Sequence, residues 1–261
     1  MTLVLLLVLA TPVTLAADLV VYTAKKIITM EPALPEAEAV AVRDGRIVAV
    51  GTLESLQPWT RAHETRIDRS LEGKVLMPGF IDPHVHPSLP AVLTQFPFLA
   101  PDDWSLPHGD FPGATDPKTY EKRLKALVAN HRSPDIPFIT WGYHPLWHGE
   151  IYREQLNAWF PDTPVMLWHR SFHEIIGNDA AFELLGVSEA DTEGEHEIDW
   201  ARGHFWENGA RVLLPKMPFL FDPARYGQGM ANFLQMIHLA GVTTVLDMGT
   251  GVFGNPEGEI A

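Results

Sequence analysis

The chain has 261 residues, 46% hydrophobic and 20% charged, a globular profile with enough length to bury a core. It contains no cysteine, which excludes disulfides, cysteine-ligated zinc, iron–sulfur clusters and thiol nucleophiles. Lys and Arg number 19 against 33 Asp and Glu, for a net charge of -14. No Lys/Arg-rich run interrupts that balance, so nucleic acid and anionic membrane surfaces are poor partners. The compositional excess that invites a chemical reading is 12 histidines.

Residues 1–17 carry no charge, residues 3–9 are purely aliphatic, and Thr14-Leu15-Ala16-Ala17 offers small residues suited to cleavage. The apolar run is shorter than the roughly 20 residues of a membrane span. Residues 1–17 are therefore expected to be a cleaved export signal, with a mature chain from Asp18, no stable membrane span, and a periplasmic or secreted destination. No Lys or Arg precedes the apolar core. That departure leaves an uncleaved anchor or a different start site open.

Residues 18–75 read as β structure. Ala39-Val40-Ala41-Val42-Arg43, then Asp44-Gly45, then Arg46-Ile47-Val48-Ala49-Val50 predicts a hairpin with a two-residue turn. Val20-Val21-Tyr22 and Lys26-Ile27-Ile28 predict an earlier strand, and Glu72-Gly73 a further turn. From Leu76 an apolar strand runs to His84 and His86, and the Pro-, Asp- and Gly-rich residues 88–115 read as loop. Asp116-Pro117 opens a helix to about Asn130, with short strands at 138–141 and 165–168 around a helix near 154–159. Asn178 caps a helix stopped by Gly186, and 188–200 is acidic loop. Asp222-Pro223 opens the last helix, stopped by Gly241, and 242–247 reads as a strand buried on both faces.

His84 and His86 stand two apart on a strand, so both side chains leave one face and can share a divalent metal. In a histidine-rich chain that spacing alone carries little, and the apolar strand before it and Asp82 give it context. Three other patterns lack their structural setting. His173-Glu174-Ile175-Ile176-Gly177 has no second histidine for a zinc-protease helix. Gly249-Thr250-Gly251-Val252-Phe253-Gly254 has no helix after it to bind a dinucleotide. His144/His148 and His169/His173 have helical spacing, but Pro145 and the strand at 165–169 argue against helices there.

Leu76-Met77-Pro78-Gly79-Phe80-Ile81-Asp82-x-His84-x-His86 resembles the first-strand signature of the amidohydrolase superfamily. Ile27-Ile28-Thr29-Met30 and residues 41–51 are similar to its N-terminal sandwich. Trp141-Gly142, Trp147, Pro164-Val165-Met166-Leu167-Trp168, His173, Asn178 and Gly241-Val242-Thr243-Thr244-Val245 resemble the amidohydrolase-3, YtcJ-like branch. The resemblance implies an α/β fold: a partial TIM barrel over 76–261, a β-sandwich portion over 18–75, and a long α/β insertion (about 88–222) after barrel strand 1. It implies a divalent metal, zinc first among them, held by His84 and His86, and hydrolysis of an amide-type C–N bond in a small molecule. It places His173 and Asn178 as candidate substrate contacts, and Glu207 is similar to a family position.

A (β/α)₈ barrel takes about 250 residues, and two barrel strands are legible, so the general base and remaining ligands are expected beyond Ala261. The stretch alone is then expected to be unstable and inactive, and the alternative is a non-catalytic fragment or binding module.

Overall fold

The computed structural model describes residues 18–249. The expected export signal and all but the first residue of the Gly249–Gly254 pattern lie outside them. The chain divides into two compact units, with the break between Gly79 and Phe80.

The first unit contains β1 (Leu19–Ile28), β2 (Glu36–Arg43), β3 (Arg46–Gly51), α1 (Gln57–Ala62) and β4 (Thr65–Leu76), in one sheet of order β3-β2-β1-β4. The β2–β3 hairpin forms at the expected turn. Asp44 (φ 48°) and Gly45 (φ 70°) both take the left-handed conformation that a tight two-residue hairpin requires. β1 pairs antiparallel with β2 and parallel with β4. Glu72-Gly73 is not the expected turn. Leu71 pairs with Ala24 and Val75 with Lys26, so the residues between are extruded as a bulge and the strand runs on to Leu76. Leu19, Val21, Ala39, Ala41 and Leu56 form one small core, and Ala24, Ile27 and Val40 form another with Leu71 and Leu76. The described residues of this unit form a single four-stranded sheet.

The second unit begins with β5 (Phe80–Val85), α2 (Ser88–Leu93), β6 (Trp104–Leu106), β7 (Gly109–Phe111), α3 (Pro117–Ala129), β8 (Phe138–Tyr143) and α4 (Pro145–His148). It continues with α5 (Arg153–Trp159), β9 (Val165–His169), β10 (Glu174–Gly177), α6 (Asp179–Leu185), β11 (Ile198–Asp199) and β12 (His204–Trp206). It ends with α7 (Ala210–Leu213), α8 (Pro223–Leu239) and β13 (Val242–Asp247). The helix signals read from the sequence act locally as caps. Asp116 accepts from Thr119 N, Asn178 from Ala181 N and Asp222 from Arg225 N, while Gly186 (φ 62°) ends α6.

Three expectations fail here. Residues 88–115 are not all loop, because Pro90 sits in the first turn of α2, where a missing N–H costs nothing. Pro145 does not exclude a helix after His144: it opens α4, with His144 as its N-cap. Residues 188–200 contain a short 3-10 turn closed by reciprocal Ser188–Asp191 bonds, then β11.

Five strands form the larger sheet of this unit, in order β11-β12-β10-β9-β8, with β8 and β9 parallel and the other pairs antiparallel. Along β9, Val165 and Leu167 enter one core while Met166 and Trp168 enter another. Two-sided burial is why this strand reads as an unbroken apolar run. β5 and β13 pair in parallel, held by Phe80 N to Gly241 O at 2.9 Å and Met248 N to Val85 O at 3.0 Å. That pair shows parallel strands, not a closed barrel. β13 is not buried as expected. It has one strand neighbour among the described residues, and Thr243, Thr244 and Leu246 are exposed.

Candidate active site

β5 delivers His84 at its end and His86 just past it, on the step into α2. Asp82 Oδ1 accepts from His84 N at 3.1 Å, which fixes the backbone between them. The two imidazoles lie nearly perpendicular, with ring centroids 5.2 Å apart. Two imidazoles sharing one tetrahedral ion through bonds of about 2.0–2.1 Å set their centroids about 5 Å apart, so the spacing fits. Nδ1 of His86 is buried and has no hydrogen-bond partner. Buried side-chain nitrogens are ordinarily paired, and an orphan of this kind fits a ligand to an ion. Among the described residues no group of three or more His, Asp or Glu side chains is arranged to hold a metal. The pair supplies two donors of a set that needs more.

His173 and Asn178 fare differently. Nδ1 of His173 lies 3.0 Å from Glu207 Oε2, and Glu207 N donates to His173 O at 2.9 Å. Both side chains are exposed. Phe172 (φ 77°) and Glu207 (φ 45°) are non-glycine residues in the left-handed region, and such backbone concentrates at functional sites. Asn178 is fully buried. Its Oδ1 accepts from Val165 N and Ala181 N, both at 3.0 Å, and its Nδ2 donates to Phe160 O and Thr163 O, both at 2.8 Å. No atom of that amide is left for a substrate. Asn178 is a cap and a strand tie, its amide bonded to backbone where a substrate contact was expected. No hydrogen bond or ring contact joins the His84–His86 pair to the His173–Glu207 pair among the described residues.

The structure adds a cluster that sequence reading missed. Glu174 on β10 accepts from His204 Nε2 at 2.8 Å and lies 3.7 Å from His169 Nδ1. His144 packs on His169 with ring centroids 4.9 Å apart. Burial holds the His169 imidazole below its ordinary proton affinity, with the Glu174 carboxylate pulling the other way. Glu174, Asp199, Arg202, His204, Trp206 and Glu207 line a cleft of about 370 Å³, where three carboxylates stand beside one imidazole and one guanidinium. The sequence signal was weak, because Glu174 and His204 are far apart in sequence and sit on strands of four and three residues. His148 has a structural place: Nε2 donates to Ala114 O at 2.8 Å, and the ring stacks on Tyr120 at 4.0 Å.

Residues 69–260 match the amidohydrolase family model, Amidohydro_3. The chain belongs to the amidohydrolase family. Residues 39–58, around the β2–β3 hairpin, also match an imidazolonepropionase-like composite domain of bacteria. Among curated relatives, the exoenzymes regulatory protein AepA of Pectobacterium carotovorum subsp. carotovorum is 35% identical over 243 residues, covering 88% of this chain and 49% of its own length. The putative amidohydrolase YtcJ of Bacillus subtilis (strain 168) is 28% identical, covering 58% of this chain and 26% of its own. The N-substituted formamide deformylase of Arthrobacter pascens is 33% identical, covering 62% and 29%. A metal-dependent hydrolase from Pyrococcus horikoshii OT3 shares the fold at TM-score 0.60 and 20% identity, over 89% of this chain and 43% of that one. The amidohydrolase chain thus spans half or less of the length of each of these relatives.

Proposed function

We propose that this amidohydrolase chain carries the metal-binding first strand and part of the substrate-facing insertion of a metal-dependent hydrolase acting on an amide-type C–N bond of a small molecule. The observation that carries the reading is the His84–His86 pair: imidazoles at ion-sharing distance, one with an orphaned buried nitrogen, at the end of the strand where the family model matches. The names of the formamide deformylase and of the Pyrococcus hydrolase support the bond type and the metal.

A divalent ion, zinc for choice, would be held by His84 and His86, and when bound it supplies an electrophile and a water activated near neutral pH. The protein's own contribution is orientation. The Asp82 bond to His84 N fixes the main chain that carries the imidazoles before any substrate arrives. The His173–Glu207 pair and the Glu174–His204 pair present oriented imidazoles that bind polar substrate groups. Residues 1–17 direct export in the same proposal, and N-terminal sequencing from the native host should then find Ala17 or Asp18 first rather than Met1.

The deciding experiment is metal analysis of the full-length protein after dialysis, paired with release of formate or amine from N-substituted formamides. The wild type should retain zinc and turn substrate over. His84→Ala plus His86→Ala should lose both while keeping the wild-type circular dichroism. Equal zinc content in the two proteins would sink the proposal.

A further inference from the structure

Arg225, in the first turn of α8, is a half-buried guanidinium that forms no ion pair among the described residues. No carboxylate oxygen lies within 4.0 Å of it among the described residues, whereas Arg153, Arg170 and Arg202 each meet one: Asp179, Asp102 and Glu150. In a chain where acids outnumber bases 33 to 19, a partly desolvated cation without an ion pair is unexpected, because burying a charge costs free energy. Asp222 favours the charge only from beyond ion-pair distance. Its Oδ1 accepts from the Arg225 backbone N–H at 3.0 Å, as the cap of α8.

The guanidinium is also held in place. Its Nε donates to Gln95 Oε1 at 3.2 Å, and Gln95 is itself fixed by Nε2 bonds to Ala91 O and Leu220 O. The Phe96 ring lies 5.8 Å from the guanidinium carbon. With Nε engaged, both Nη nitrogens lack an acceptor among the described residues, and they form the fork that matches a carboxylate end-on.

That fork borders a cleft of about 590 Å³, lined among others by Thr94, His108, Gln228 and Asn232, which is ample for a small ligand. The hydrogen-bonding side chains around Arg225 carry no carboxylate, and they are set among Pro107, Ala224 and Gly229. Asn232 is buried and tied to Thr94 O at 3.4 Å and to Gln228 Nε2 at 3.2 Å. The Gln228 carbonyl is left over to accept from a ligand. The start of a 17-residue helix adds positive potential at the same end.

We propose that the cleft between α2, the β6–β7 turn and α8 binds a small molecule through a carboxylate held by Arg225. One positive charge with neutral amides around it matches a monoanion. A phosphate dianion calls for more cationic partners than this cleft contains.

The test is titration calorimetry of the full-length protein at fixed ionic strength with acetate, succinate and inorganic phosphate, before and after removal of metal by a chelator. Wild type should bind at least one carboxylate saturably and equally in both forms. Arg225→Gln should weaken that binding at least tenfold, with Arg225→Lys intermediate because it keeps the charge and loses the fork. Gln228→Glu changes an exposed residue and places a competing carboxylate beside Arg225, so it should also weaken binding at least tenfold. It keeps the test decisive should Arg225→Gln fail to fold. No saturable carboxylate binding in wild type, phosphate binding ahead of both carboxylates, or unchanged affinity in a folded Arg225→Gln or Gln228→Glu protein would each overturn the proposal. Loss of carboxylate binding in His84→Ala plus His86→Ala would assign it to the metal and overturn it as well.

Discussion

Glu174 accepts a hydrogen bond from His204 Nε2 at 2.8 Å across the pairing of β10 with β12. Its backbone partner in that register is Trp206, so the contact is the diagonal one, two residues along, that long side chains reach on one face of a sheet. The other carboxylate oxygen faces His169 on β9. One acid therefore sits between imidazoles from the strands on either side. Burial lowers the His169 proton affinity, and the Glu174 carboxylate opposes that. Glu174→Gln removes the opposing charge, so His169 should titrate at a lower pH than in wild type. Nuclear magnetic resonance of the His169 ring across about pH 4–8, the span around an ordinary imidazole, would show it. An unmoved or raised midpoint contradicts the placement.

His148 makes stability depend on pH. Burial pushes its imidazole down to about 4 from the ordinary 6.5, with the bond to Ala114 O opposing. The folded state thus binds a proton less readily than the unfolded chain, and the unfolded chain holds more protons between those values. Stability is full above about 6.5, falls as pH drops toward about 4, and levels off below. The loss is on the order of 3 kcal/mol. His169 acts in the same direction. Urea denaturation at pH 7 and near pH 4.5 should show a smaller difference for His148→Gln than for wild type, whatever the variant's stability at pH 7. Identical pH dependence in both would remove His148 from this account.

Two glycines in α8 should respond oppositely to the same change. A Cβ on Gly229 would stand 1.8 Å from Ala91 O, a backbone atom of α2, whereas a Cβ on Gly227 meets nothing within 4 Å. Gly227→Ala should stabilise by about 0.5–1 kcal/mol through helix propensity. Gly229→Ala should cost about 2 kcal/mol or more, because two helices must part. Thermal melts of the two variants beside wild type decide it, and a Gly229→Ala protein as stable as wild type would contradict the close packing of α2 on α8.

What could be read from the sequence is what local chemistry dictates. Asp44-Gly45, Asp116-Pro117, Asn178 with Gly186, and Asp222-Pro223 each solve a turn or helix end within a few residues, and each lies where the pattern placed it. The His84–His86 pair was legible for the same reason, since two residues on a strand share a face. The Glu174 cluster was not, because β10, β11 and β12 span only four, two and three residues and show no periodicity. Their pairing is decided by the core they cover, with Ile175, Ile176 and Phe205 all buried. Pro90 and Pro145 misled for a related reason. Proline argues against a helix interior, and both lie in first turns. Arg225 was invisible, because an absent ion-pair partner has no signature in sequence.

Asn178 separates a structural from a substrate role most cleanly. Its amide bonds to four backbone groups, tying the start of β9, the end of α5 and the first turn of α6 to one point. Asn178→Ala leaves Val165 N–H and the Phe160 and Thr163 carbonyls short of a partner, while Ala181 N–H keeps its bond to Asn178 O. Each unsatisfied buried group costs about 1–3 kcal/mol, and loss of the cap alone about 1. The variant should lose about 3 kcal/mol or more, or fail to accumulate as folded protein. Asn178→Asp keeps the acceptor for Val165 N and Ala181 N but turns a carboxylate oxygen toward Phe160 O and Thr163 O. It should be destabilised as well, and further as pH rises and the carboxylate ionises. Asn178→Ser keeps a shorter cap to Ala181 N and should fall between wild type and alanine. Urea denaturation orders the three, and KM of whatever variant folds should match wild type. A stable Asn178→Ala enzyme with a raised KM would reverse the assignment and make the amide a substrate contact.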